Sequence, residues 1–388
     1  MCRSLPLNKR YTMGGGKSAE LTDVVGFKAG PFPVSYNQRD LILYALGIGC
    51  TRKSELGGDG ELRFLYEEHE DFQAFPTYAL VLPFKGSSGD VVSYPGPALC
   101  IVPPALQGAV DPTSVLHYDQ SLTMLRPLDP DGATLESRSK VLGIYRKGRG
   151  ALLRSQTTLL DKGGETVAVS IQGTYIRGLK VEEDVGPPLP PASPHPSEAP
   201  DLSIVVAVPT DMALLYRLSG DYNPLHADLD AAAALGMGDV ILHGLCTLGL
   251  AVRQVCIHTC PTGPAMVRSV SARFTRPVFP GAKLQVDLWC RSLCGKKDKG
   301  VRHAERVREE SGLGTNAQLW AAEEGGSHFS AGGLLEVFFK VARSSDGGQS
   351  ITVIEDGRAV LCNNESCLET LQMTAGVTPV QHAPNARL

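Results

Sequence analysis

Residues 182–200 read EEDVGPPLPPASPHPSEAP, a stretch that neither a sheet nor a helix can absorb. Proline has no N–H to give to a ladder and clashes inside a helix, so repeated proline makes this a stiff, extended linker. It divides the 388 residues into halves of similar size, and the halves echo each other. In the first, the apolar run DLILYALGIG (Asp40 to Gly49) follows Ser35 and Gln38, spaced as a capping box. In the second, MALLYRLSGD (Met212 to Asp221) follows Thr210, an expected N-cap. Aligning Tyr44 with Tyr216 also aligns Leu43 with Leu215 and Leu46 with Leu218. Later, Arg126-Pro127-Leu128-Asp129-Pro130 parallels Arg276-Pro277-Val278-Phe279-Pro280. Strand-like alternation follows each. Two echoes in the same order predict a duplicated domain.

The expected organisation is a flexible tail over 1–31, a first domain over 32–181, the linker over 182–200, a second domain over 201–361 and a tail over 362–388. The interval between the echoes is longer in the first half, which leaves room there for pocket-shaping loops. The second half has its own insertion near 295–333, charged at its start (KKDKGVRHAERVREE) and then rich in Gly and Ser. That composition reads as a solvated excursion from a hairpin.

Composition excludes several classes. Net charge is −4, so no basic field is on offer to nucleic acid. No apolar run reaches the ~20 residues of a membrane span. The ten cysteines include no CxxC pair. Cys256 with Cys260, and Cys290 with Cys294, are spaced too widely for a typical zinc site, so no metal is expected and reduced thiols are. The first nineteen residues lack acids, as transit peptides do, but Pro6 and Gly14-Gly15-Gly16 argue against an amphipathic helix. Gly16-Lys17-Ser18 ends like a P-loop, yet Tyr11 stands where the motif needs glycine.

The informative stretch is YRLSGDYNPLHADLDAAAALGMGDVILHGLCTLG, residues 216–249. Gly220 can end a helix and Pro224 prevents its continuation. Asp221, Asn223 and His226 therefore fall on a turn, which can aim a carboxylate, an amide and an imidazole into one space. A second helix starts near Asp228. His243-Gly244 then opens a long apolar helix ending near His258. Its N-terminus offers unpaired N–H groups and a positive dipole end, and Gly244 lets a ligand approach them closely. An acid–base pair beside such donors suits proton transfer next to a developing oxyanion. Singly, Asp221 could be a turn residue, His226 a structural histidine and His243 a cap; jointly they are hard to dismiss.

Ser219-Gly220-Asp221-Tyr222-Asn223-Pro224-Leu225-His226, followed by Ile241-Leu242-His243-Gly244, resembles the signature of the type-2, R-specific enoyl-CoA hydratases of the MaoC-like hot-dog family. Arg273-Phe274 with Pro277-Val278-Phe279-Pro280-Gly281 resembles that family's later strand motif. Tyr36-Asn37-Gln38-Arg39-Asp40, Leu43-Tyr44-Ala45-Leu46-Gly47, Phe64-Leu65-Tyr66-Glu67 and Phe75-Pro76-Thr77 resemble its eukaryotic two-domain members, as in the hydratase part of the type-2 multifunctional enzymes. The likeness covers roughly 32–293 and resumes over 333–361.

The resemblance implies an α+β fold of two hot-dog domains, each an antiparallel sheet wrapped around a central helix, forming a pseudo-dimer in one chain. It implies reversible addition of water to a trans-2-enoyl-CoA, giving the (3R)-3-hydroxyacyl-CoA of fatty-acid β-oxidation. Asp221 and His226 would be the catalytic pair, Asn223 their support and the Gly244 N–H the oxyanion contact. His243, Gly220 and Tyr222 would bind substrate. No cofactor is implied, since the CoA thioester is the substrate. Which of Asp221 and His226 activates the water stays open, because their protonation is coupled. Gly49 and Ser54 align with Asp221 and His226, so the first half is expected to be catalytically empty and to shape a pocket for long acyl chains. Arg273, Arg276 and Lys283 lie near the expected mouth, but read as ordinary surface charges and not as ligands of the CoA phosphates.

Without a GxGxxG after a strand, no dehydrogenase domain is expected in this sequence. The final Ala386-Arg387-Leu388 fits a peroxisomal address, which implies an import receptor as partner and the peroxisome or a related organelle such as a glycosome as location. A homodimer is open, as two domains in one chain already make a pair. The competing readings are a dehydratase acting on acyl carrier protein, a hot-dog thioesterase and a silent acyl-CoA binder.

Overall fold

The structure, a computed structural model, describes residues 10–12, 18–20, 23–52, 61–94, 103–106, 110, 115–192, 195–259, 267–292, 334–345 and 348–362. The insertion at 295–333, the C-terminal tripeptide, Ser54, Cys260 and Cys294 lie outside the described residues.

The segment expected as a tail contains β1 (Arg10–Thr12) and β2 (Ser18–Glu20). The first long strand, β3 (Lys28–Tyr36), starts inside it and leads into α1 (Gln38–Gly47). The capping box that starts α1 is Asn37 with Asp40: Asn37 Oδ1 accepts from the Asp40 N–H at 3.1 Å, and Asp40 Oδ2 from the Asn37 N–H at 3.1 Å. The expected pair, Ser35 with Gln38, is displaced because Ser35 is claimed by β3, opposite Thr134. After α1 come a 3₁₀ turn at Pro76–Leu80 and the short α2 (Leu82–Lys85). Four strands complete the half: β4 (Val115–Met124), β5 (Ala133–Lys147), β6 (Gly150–Leu160) and β7 (Thr166–Arg177). β8 (Lys180–Val181) pairs with β1 in a small separate sheet.

The second half repeats the plan. β9 (Leu202–Ala207) leads to α3 (Met212–Tyr216), α4 (Leu229–Ala234) and α5 (Gly244–Thr259). Then come β10 (Val267–Phe274), β11 (Lys283–Ser292), β12 (Leu334–Ser344) and β13 (Ser350–Cys362). Thr210 does not cap α3; Asp211 precedes the helix, and its side chain makes no capping bond.

Among the described residues, ten strands join in one antiparallel sheet, ordered β3-β5-β6-β7-β4-β10-β13-β12-β11-β9. Read from either end, each half has its first, third, fourth, fifth and second strand in that order. The echo in sequence is thus a duplication in topology. The seam is β4 against β10, with Ser121 opposite Ser271. In β9 the expected alternation is plain: Ile204 and Val206 are buried, while Val205 is exposed.

α5 packs against β11, β12 and β13, and the first-half 3₁₀ turn against β4. All residues of α5 after Gly244 are buried, as suits a helix wrapped by strands. The central helix of the first half is reduced to the 3₁₀ turn and α2. Pro83 cannot donate to the Ala79 carbonyl, so one continuous helix cannot form there. Tyr44 and Tyr216, aligned as copies, meet where α1 crosses α3, with ring centroids 5.8 Å apart. A buried ion pair ties the halves together. Arg253 of α5 donates from Nε to Glu61 Oε1 at 2.5 Å and from Nη2 to Oε2 at 2.8 Å.

The linker crosses the outer side and is held down. Val185 bridges to Ile144, and the Tyr145 hydroxyl donates to the Pro187 carbonyl at 2.6 Å. His195 stacks on Trp289 at 4.7 Å, and the Trp289 indole N–H donates to the Glu198 carbonyl at 2.8 Å.

Candidate active site

The turn after α3 is built as its glycine and proline require. Gly220 has φ +135°, and a Cβ there would lie 2.6 Å from the Lys85 backbone nitrogen. Only glycine lets the turn seat against the end of α2. Asn223 then starts a 3₁₀ turn, Pro224–His226, its Oδ1 accepting from the Leu225 N–H at 3.1 Å. Asp221 Oδ1 accepts from the Asn223 N–H at 3.2 Å.

The strand-like segment before α5 clamps this turn twice. His226 Nδ1 lies 2.8 Å from the Ile241 carbonyl oxygen, and His243 Nε2 lies 3.0 Å from that of Asp221. A carbonyl only accepts, so both ring nitrogens carry the proton. His226 is therefore left with a bare Nε2. His243 keeps a bare, buried Nδ1 without a hydrogen-bond partner. The two imidazoles stack with centroids 3.5 Å apart, and Tyr216 packs against His243 at 4.9 Å. Tyr44, Tyr78 and Tyr36 continue the contact into the first half's core.

Burial sets the protonation of the pair. It pushes the Asp221 carboxyl up to about 6, against the Asn223 N–H and the Arg217 charge, which both pull down. It pushes His226 down to about 4, so this imidazole is neutral near pH 7. His243 lies well below the ordinary histidine value for the same reason, reinforced by His226. Ligand atoms of Asp221, His226 and His243 fall within 4.8 Å of one another, a spacing that invites a cation. Ring lone pairs point in the ring plane, however, and two stacked rings send them along nearly parallel planes. The arrangement suits proton transfer better than coordination.

Asp221, Asn223, His226, His243 and Gly244 all line one cavity of about 770 Å³. Gly244 opens α5, so its N–H has no partner within the helix. A Cβ on Gly244 would lie 3.4 Å from the Phe274 ring, filling the slot between helix and sheet. Gly220 and Tyr222, expected to bind substrate, do not line the cavity. Gly220 is closed off by Lys85. Tyr222 turns back, its hydroxyl donating to the Leu218 carbonyl at 3.4 Å and its ring under the Arg217 guanidinium.

Much of the opposite wall comes from the first half. His117 and Tyr118 of β4 and Gln172 and Thr174 of β7 line the cavity, as do Phe84 and Tyr94. His117 packs edge-on to Phe274 at 4.7 Å and bonds Gln120 Oε1 at 3.1 Å, with burial pushing it down to about 4. None of these residues lies in a motif that the sequence alone marks out. At the mouth, Arg273 is committed to Glu355 at 2.6 Å and Asp356 at 2.8 Å. Arg276 lines the cavity and donates to the Thr275 carbonyl, whereas Lys283 sits on β11 away from it.

Fold and cavity define a double hot-dog protein with a buried carboxyl–imidazole pair, Asp221 and His226, beside a helix N-terminus. Residues 34–178 match the MFE-2 hydratase 2 N-terminal domain and residues 192–312 the MaoC-like domain. The peroxisomal multifunctional enzyme type 2 of Drosophila melanogaster is 36% identical over 260 residues, 66% of this chain and 41% of that one. The peroxisomal enoyl-CoA hydratase 2 of Arabidopsis thaliana is 33% identical over 275 residues, 67% of this chain and 83% of that one. The crystal structure of a MaoC-like dehydratase from Phytophthora capsici superposes with a TM-score of 0.69 at 33% identity, covering 90% of this chain and 99% of that one. The chain belongs to the MaoC-like hydratase 2 family. It spans about two-fifths of the fly multifunctional enzyme and most of the plant hydratase.

Proposed function

We propose that this chain is an enoyl-CoA hydratase that adds water reversibly to a trans-2-enoyl-CoA and yields the (3R)-3-hydroxyacyl-CoA. The observation that carries the reading is the bare Nε2 of His226 beside the Asp221 carboxyl, in a cavity that also holds the Gly244 N–H. The names of the plant and fly relatives support the substrate class.

Hydration takes one proton from a water as its oxygen attacks C3 and gives one to C2. Above about pH 6 both Asp221 and His226 are unprotonated, so a water between them meets two acceptors. One takes its proton and the other holds its remaining O–H. The proton taken is then delivered to C2. Negative charge on the thioester oxygen meets the Gly244 N–H and the positive end of α5. Asn223 keeps the carboxylate aimed through its own N–H. His243 backs the site, its ring holding the Asp221 carbonyl. No step in this scheme calls for a cofactor.

The test is to mix the chain with trans-2-decenoyl-CoA, follow loss of enoyl absorbance and determine product chirality. Formation of (3R)-hydroxydecanoyl-CoA is expected. Free thiol would indicate a thioesterase instead, and binding without turnover a silent carrier. The pH profile of kcat/KM should rise through about 6 and level off, because the carboxylate is the active form. A profile that falls above 6 would make Asp221 the acid. Peroxisomal location is proposed from the named relatives; imaging an N-terminally tagged chain, with and without the last three residues, checks it and the import receptor.

A further inference from the structure

The cavity has a polar side and an apolar side. Along β10, the turn after it and β13, its wall includes Arg273, Thr275, Arg276, Thr352 and Glu355. Along the segment between α4 and α5 it includes Met237, Ile241 and Leu242. This apolar side adjoins the turn that carries Asp221 and His226. The Ile241 carbonyl accepts from His226 Nδ1 at 2.8 Å, and the Ile241 N–H donates to the Leu225 carbonyl at 3.4 Å. Leu225 lines the cavity as well.

The way α4 ends puts Met237 on this side. The Gly236 N–H donates to the Ala233 carbonyl at 2.9 Å, and the Met237 N–H to that of Ala232 at 3.0 Å. This pair of bonds is a helix stop that turns on a left-handed residue, and Gly236 supplies one at φ +73°. In such a stop the residue after the glycine packs back on the last turns of its own helix. Here those turns offer Ala231 and Ala232, a methyl group each, and Met237 is half-buried in the cavity wall. An unbranched thioether with three rotatable bonds follows the shape of what lies against it.

An acyl-CoA is itself two-sided about its thioester, with amides and phosphates on one side and a hydrocarbon chain on the other. With the thioester oxygen at the Gly244 N–H and C3 between Asp221 and His226, the hydrocarbon belongs on the apolar side. Each methylene withdrawn from water there strengthens binding about fourfold. We infer that Met237 is a specificity-determining residue for the hydration: its side chain packs on the acyl chain beyond C4 and favours substrates long enough to reach it. The preferred substrates are therefore medium- and long-chain enoyl-CoAs. The inference rests on the hydratase reading above and adds the chain length to it.

Met237→Ala and Met237→Leu in the full chain test it, with trans-2-decenoyl-CoA and trans-2-butenoyl-CoA as substrates. Butenoyl ends at C4 and is the control. In Met237→Ala, kcat/KM should fall about tenfold for decenoyl, close to the scale of two lost methylene contacts, and stay within about twofold for butenoyl. The fall should lie in KM, because the contact is the same before the reaction and during it. Met237→Leu should restore most of the loss, since leucine replaces the apolar contact. An unchanged decenoyl-to-butenoyl ratio in Met237→Ala would overturn the inference, whether both substrates are spared or both are slowed. A wild-type chain that hydrates neither substrate would overturn the hydratase reading itself and the inference with it, a result distinct from an unchanged ratio.

Discussion

The two halves share one strand order and differ in what they place on the sheet. In the second, α5 runs sixteen buried or half-buried residues and opens on Gly244 at the cavity. In the first, prolines break the same position into a 3₁₀ turn and the four-residue α2. The second half has Gly220-Asp221…His226 after its first helix; the first has Gly49 where the carboxylate would be. Yet the first half is not inert packing. The end of α2 seats the turn that carries Asp221 and His226, at Gly220, and β4 and β7 build the far wall. Duplication has separated two tasks that an isolated domain would have to combine: holding reactive groups and enclosing what they react with.

The sharpest way to test that separation is to remove the groups only one half has. Asp221→Asn or His226→Ala should lower turnover by ~100-fold or more, the scale of lost general acid–base catalysis. Near-normal turnover in either variant would remove that residue from the mechanism. Asp221→Asn should also stabilise the fold above pH 6. The folded pKa, about 6, lies above the ordinary 3.8, so folding favours the protonated form and this contribution is lost as pH rises through 6. At neutral pH the folded chain then carries a half-buried charge worth up to about 3 kcal/mol of lost stability. Asparagine carries none. A higher urea midpoint for the variant at pH 7.5, shrinking toward pH 4, is expected; a lower midpoint would mean the charge is well solvated.

A second test asks whether the halves stand alone. The Glu61–Arg253 pair joins the first half to α5, with both side chains almost fully buried, at 1% and 3% exposure. Glu61→Gln would remove the carboxylate that the buried guanidinium holds in a bidentate pair, at a cost of about 3–5 kcal/mol. A single destabilised unfolding transition would show the halves fold as one unit. A loss below about 1 kcal/mol would mean water or another acceptor replaces the carboxylate.

Legibility in the sequence divides along the same line. The repeated order and the turn from Gly220 to His226 are legible because glycine, proline and short-range spacing carry them. The start of the second helix near Asp228 and the extent of α5, an unbroken apolar run, are also legible. The wall residues are not. His117, Gln172 and Tyr94 reach the site through pairing across the β4–β10 seam and through a loop, and no local pattern marks a residue whose partner is more than a hundred positions away. Nearness in sequence to Asp221 puts Tyr222 and Gly220 at the substrate, and the backbone turns both away. Boundaries fail for a related reason: Ser35 looks like a cap until β5 claims it as a strand residue.

That failure gives the smallest and cleanest contrast between the halves. α1 and α3 are aligned copies, but only α1 has its capping box. Asn37→Ala removes an acceptor for the Asp40 N–H and should cost about 1 kcal/mol. Thr210→Ala, the change that sequence ranks equal, should stay within about 0.5 kcal/mol, since Thr210 caps nothing and lies outside α3. Equal losses would mean α3 is held by its start as α1 is. Unequal losses would show that α3 is held instead from its C-terminal end, by the turn seated on α2 and clamped by His226 and His243, so that the turn carrying Asp221 stabilises the helix and not the reverse.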